Sequence, residues 1–164
     1  MTTKYVSYAV RGFMTIVGIG SSIMTKMGPE IGVTAEMSGM DSRKMAEGWT
    51  RVSPWKELNF PSDGVALRYF CLIFLLTMAY NLWNAPKLGS TMWLVFFGLA
   101  DWTCRQVGGL TNPSESNPNC PSGAGYCDEV LYTHVFLFSM GAVALLLEFV
   151  NGDASDDVNK EKQT

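Results

Sequence analysis

Apolar positions in this chain gather into four long runs, and inside each run the polar residues are too few to form a continuous wet face. A helix needs about 20 residues to cross the hydrocarbon core of a bilayer, and each run is of that order. The second run, GVALRYFCLIFLLTMAYNLWNA from Gly64 to Ala85, is the clearest span of the four. Pro86 and Lys87 close it. The third, LGSTMWLVFFGLADWTCRQVG, runs from Leu88 to Gly108, and the fourth, EVLYTHVFLFSMGAVALLLEFVN, from Glu129 to Asn151. The first, YVSYAVRGFMTIVGIGSSIM from Tyr5 to Met24, is interrupted by Arg11 and several hydroxyls.

The pattern predicts an all-α, integral-membrane four-helix transmembrane bundle with spans at about 5–24, 64–85, 88–108 and 129–151. Residues 1–151 form one transmembrane domain, and 152–164, GDASDDVNKEKQT, a polar flexible tail. The tight link between the second and third spans forces an antiparallel hairpin. With an even number of spans, the termini and the hairpin turn share one side, here side A. The long first loop, Thr25 to Asp63, and the cysteine-containing second loop, Gly109 to Asp128, share side B.

Composition sharpens this reading. A chain of 164 residues holds one domain or small bundle. Its net charge of -3 and lack of a clustered basic face argue against nucleic acid as a partner. The first run follows a single Lys4 and has no small-residue cleavage site, so it reads as a retained span.

Orientation by charge is split. The second loop has no Lys or Arg, which suits a non-cytoplasmic side, whereas the first carries Lys26, Arg43, Lys44, Arg51 and Lys56. Cysteine chemistry breaks the tie. In NCPSGAGYC, Pro121, Gly123 and Gly125 let the chain turn back, so Cys120 and Cys127 are expected to form a disulfide on an oxidising side B. Two unpaired thiols are the alternative. A structural zinc wants four ligands and only His134 is near, so no metal is expected. Cys71 and Cys104 lie in spans as packing residues. The Asn112-Pro113-Ser114 triplet carries the proline that forbids glycosylation, and the absence of an acceptor sequon leans toward an organellar membrane.

Charges inside the runs are the candidate sites. At about 1.5 Å per residue, Arg68, Asp101 and His134 fall at similar depth, roughly 6 to 11 Å below the side B ends of their spans. Arg105 lies four residues after Asp101, where a pair forms along one helix. These four residues make an intramembrane charge layer. Mutual neutralisation of Asp101 and Arg105 with a snorkelling Arg68 is the structural reading; a proton relay or ligand site at Arg68, Asp101 and His134 is the functional one. Pairing with another chain is a third.

On side A, Arg11 and Glu148 are expected to bridge the first and last helices, with Asn81 as a hydrogen-bond donor. Ser7, Arg11, Thr15, Gly18 and Ser22 form a small and polar stripe on the first span, a pattern that glues helices in lipid and less often lines a pore. Trp83 and Trp93 on side A, with Trp49, Trp55 and Trp102 on side B, read as an aromatic belt. Met27, Met37, Met40 and Met45 join Trp49 and Trp55 in the first loop, where DSRKMAEGW suits a short surface helix and the apolar side chains suit docking against a partner.

Catalytic arrangements are not apparent. Gly18-Ile19-Gly20 lacks the third glycine of a dinucleotide site, and a single histidine cannot ligate haem on both faces. No catalytic residue, enzyme activity or cofactor is expected, nor a soluble small-molecule substrate. The layout of spans and loops, with Trp49 and Trp55 in the first loop, is similar to that of claudin-like tetraspans. Claudins pair two cysteines in that loop, and here it has none, so only topology is shared.

The expected function is therefore that of a non-catalytic accessory subunit of a large membrane complex, with other membrane subunits and lipids as partners. A respiratory-chain complex of the mitochondrial inner membrane is favoured, with plasma or other organellar membranes as alternatives. A tetraspan transporter or channel, or a claudin-like junctional protein, are the competing functions.

Overall fold

The computed structural model of the protein describes residues 2–26, 42–110 and 128–161. Among these residues the secondary structure is helical without strands: α1 (Thr2–Lys26), α2 (Ser42–Trp49), α3 (Val65–Asn84), α4 (Pro86–Leu110) and α5 (Asp128–Glu161). The four long helices close a ring in which α1 packs on α3 and α5, and α4 packs on the same two from the opposite side. The short α2 covers one end, against α3 and α4.

The link between α3 and α4 is a single residue, Ala85, whose amide donates to Asn81 O at 2.8 Å while its carbonyl accepts from Gly89 N at 2.9 Å. One residue thus ends one helix and begins the next. Pro86 follows as the first helical position, where its fixed φ suits a helix and its missing N–H would have found no partner. The turn is so tight that a Cβ on Gly89 would lie 2.4 Å from Leu82 N, inside the opposing backbone. Only glycine fits there.

At the centre of the ring stands Trp93 of α4, fully buried. Its ring meets Gly18 of α1 and Gly141 of α5, where added methyls would come within 3.1 and 2.7 Å of it, and it packs on Phe97 with centroids 4.7 Å apart. The sequence pattern placed Trp93 in an interfacial belt. The structure puts it in the core, because two facing glycines open a slot wide enough for an indole.

The described second half of the first loop, from residue 42 on, is also folded inward. Trp49 and Trp55 stack with centroids 6.0 Å apart, and both, like Met45 and Val52, are 4% exposed. Trp55 donates to Thr103 Oγ1 at 2.8 Å, and Gln106 Nε2 holds Ser53 O at 2.9 Å, so the segment after α2 is tied to α4. Gly64, at φ 70°, turns the chain into α3 against the backbone of Ala46, which a Cβ would approach to 2.7 Å. The expected partner-docking surface is therefore corrected at Met45, Trp49 and Trp55: they satisfy their apolar area within the chain. Met27, Met37 and Met40 lie outside the described residues.

The exterior is apolar where the interior is full. Among the described residues two helices are long and apolar enough to cross a membrane, Val65–Asn84 and Tyr132–Asn151, and only 39% and 17% of their residues are buried. A core helix of a water-soluble protein would hide most of that surface. Ile16, Ile73, Tyr80 and Leu146 stand outward at 64 to 73% exposure. α1 and α4, at 25 residues each, have the length to cross but a more mixed composition. α5 continues through Glu161, so residues 152–161, read from sequence as tail, are helical.

Candidate functional site

Two polar clusters sit at opposite ends of the ring. At the end shared by the α3–α4 link, the buried face of α1 carries Ser7, Arg11, Met14 and Gly18, the expected stripe with Met14 inside it. Arg11 is 7% exposed and donates from Nη1 to Leu82 O at 3.0 Å. Leu82 belongs to the last turn of α3, where carbonyls lack an intrahelical donor and carry the negative end of the helix dipole. Arg11 thus caps a neighbouring helix. Its Nε lies 3.6 Å from Glu148 Oε1 of α5, and the same oxygen accepts from the Ser7 hydroxyl. Three helices are joined through one guanidinium.

Aromatic rings complete this cluster. Tyr8 and Trp83 stack nearly parallel with centroids 6.3 Å apart, and the Arg11 guanidinium carbon lies 4.8 Å from the Tyr8 centroid and 5.5 Å from that of Trp83. Trp83 Nε1 donates to Thr15 Oγ1 at 3.0 Å, and Thr15 donates back to Arg11 O at 2.8 Å. Asn81, expected as a further donor to the bridge, turns away: its Nδ2 donates to Thr77 O at 2.9 Å. An amide one turn along its own helix has a backbone acceptor already in reach, which costs no reordering.

At the other end, Asp101 of α4 accepts from Arg105 Nε at 2.8 Å, and its second oxygen lies 3.5 Å from Nδ1 of His134 on α5. Exposure is graded, with side chains of Arg105 at 51%, Asp101 at 24% and His134 at 15%. The polar groups therefore line up from the half-exposed Arg105 inward to the imidazole. Arg68 is buried on α3 at 5% exposure. The structure brings Asp101, Arg105 and His134 together at the α4–α5 contact, with Arg68 on the adjoining helix.

Cys71 and Cys104 are buried in the core. Cys120 and Cys127 lie outside the described residues. Among the described residues no group of three or more His, Cys, Asp or Glu side chains is placed to hold a metal ion. Sequence reasoning missed the Leu82 carbonyl, the Trp93 slot and the Trp55–Thr103 tie. The first two had a signal in Gly18, Gly141 and the Arg11 stripe; the third joins residues 48 positions apart and had none.

Fold and clusters define a protein that is all-helical among the described residues, with two helices there long and apolar enough to cross a membrane and a charged cluster at each end of the ring. In comparisons with known proteins the chain matches no protein-family model, no curated protein and no solved structure.

Proposed function

We propose that the chain is a four-span integral membrane protein that serves as a non-catalytic accessory subunit of a larger membrane complex, with a respiratory assembly of the mitochondrial inner membrane as the first candidate. The observation that carries the membrane reading is the outward apolar surface of α3 and α5, most of which the fold leaves uncovered. Lipid and neighbouring subunits are the partners such a surface takes. The end clusters support a structural role, since Arg11 and Asp101 are each committed to partners on neighbouring turns or helices. The compartment is argued from Cys120 and Cys127, whose spacing suits a disulfide on an oxidising side.

Carbonate extraction of native membranes, followed by purification in mild detergent, tests the proposal. The expected result is retention in the pellet and then co-migration with a large complex. Release by carbonate overturns the membrane reading; retention as a small homo-oligomer overturns the accessory one.

A transporter or channel is the second reading, favoured by one observation: two protonatable groups, the Asp101 carboxylate and the more buried His134 imidazole, lie 3.5 Å apart across the α4–α5 contact. The Asp101 variants described in the Discussion separate it from the first.

A further inference from the structure

At the end that holds Arg11 lies an open cavity of about 580 Å³, lined by Lys4 of α1, Ala85 to Leu88 of the α3–α4 link, and Glu148 and Asn151 of α5. We propose that it receives the phosphate-bearing headgroup of an anionic phospholipid; this rests on the membrane reading above. Two ammonium groups from different helices, Lys4 and Lys87, border one space, and the acidic residue beside them is balanced by Arg11 and Ser7. Among the lining residues two lysines face one carboxylate.

The link adds donors. Ala85 occupies the N-cap of α4, its carbonyl taking the first helical bond from Gly89, and an alanine side chain has no oxygen for the amides of Lys87 and Leu88 that follow. Both residues line the cavity. An anion placed there meets two lysines and the positive end of a 25-residue helix.

The cavity borders apolar surface as a lipid site must. Leu88 of the lining and the neighbouring Phe149 and Val150 are each about half exposed, and Lys87 Nζ lies 4.6 Å over the Phe149 ring. A free anion has no use for that flank, whereas an acyl chain does. Lys4 and Lys87 are also the basic residues nearest the membrane surface on this side, where juxtamembrane lysines are attracted to anionic lipid.

The full chain, delipidated in neutral detergent, is titrated with phosphatidylglycerol, phosphatidylcholine or inorganic phosphate while lipid adducts are counted by native mass spectrometry and unfolding is followed by heat. Wild type is expected to retain phosphatidylglycerol and gain thermal stability from it. Lys4→Gln with Lys87→Gln should bind it at least about tenfold more weakly, while Lys56→Gln, at the opposite end, matches wild type. Equal retention by the double variant, or equal binding of phosphatidylcholine, overturns the headgroup site. Stabilisation by inorganic phosphate alone, with nothing added by the lipid, overturns the lipid assignment in favour of a free anion. Carbonate extraction of the same membranes keeps the two questions apart: a chain that stays in the pellet yet ignores phosphatidylglycerol loses only the site, and a released chain loses the membrane reading beneath it.

Discussion

The indole of Trp93 donates its proton to the main-chain oxygen of Leu137 at 2.7 Å, across the contact between α4 and α5. Leu137 O is also the acceptor position for the amide of residue 141 in a regular helix, and because residue 141 is glycine, no side chain covers that oxygen. A hydrogen bond between helices exists here because a side chain is missing.

Gly141→Ala should therefore lower stability by about 1 to 3 kcal/mol, the usual cost of forcing extra volume into a packed core. Gly12→Ala, where a methyl would meet nothing within 4 Å, should be neutral or stabilise the helix by up to about 1 kcal/mol. Thermal unfolding of the two variants in one detergent checks both, and a Gly141→Ala protein as stable as Gly12→Ala would contradict the slot.

For the Arg11 cluster the order of stabilities is the test. Glu148→Ala leaves a nearly buried guanidinium without its carboxylate and should cost about 3 to 5 kcal/mol. Adding Arg11→Ala removes the orphaned charge, so the double variant should recover part of the loss. Simple additivity in a double-mutant cycle would mean that the two residues do not interact.

Asp101→Asn with Arg105→Gln separates structure from transport. Arg105 is half exposed and the pair lies along one helix, so its contribution to stability is small, about 0.5 kcal/mol or less. Assembly and turnover of the host complex should be largely retained. A folded, assembled double variant that loses turnover or transport would favour the proton-path reading.

Trp55 anchors the segment after α2. Trp55→Phe keeps the ring beside Trp49 and loses the bond to Thr103, whose hydroxyl still donates to Leu99 O at 2.7 Å, so the cost should be about 1 kcal/mol. Trp55→Ala empties a buried site and should cost about 3 to 5 kcal/mol. Limited proteolysis between Thr50 and Asp63 reports the difference: rapid cleavage is expected of the alanine variant only.

The long elements were legible because apolar runs and helices nearly coincide: Tyr5–Met24 lies within α1, Leu88–Gly108 within α4 and Glu129–Asn151 within α5, while α3 stops one residue inside Gly64–Ala85 at each end. Counting depth along helices placed Arg11 and Glu148 at one end and Asp101, Arg105 and His134 at the other, since rise per residue is nearly constant. What periodicity cannot report is partner choice. Trp93 sits as near a span end as a belt residue does, and only the glycines on two other helices make it core. Trp49 and Trp55 lie in a stretch without repeat, and their burial depends on the α3–α4 surface they cover. Asn81 was assigned to a distant charge when a carbonyl of its own helix was closer.

Ala85 carries a consequence for biogenesis. A one-residue link gives α3 and α4 no slack to form apart and dock later. They take up their antiparallel pairing as soon as both are helical, with the Gly89–Leu82 backbone contact made in the same step. The steric demand at residue 89 is therefore felt at synthesis, before the rest of the ring has been translated.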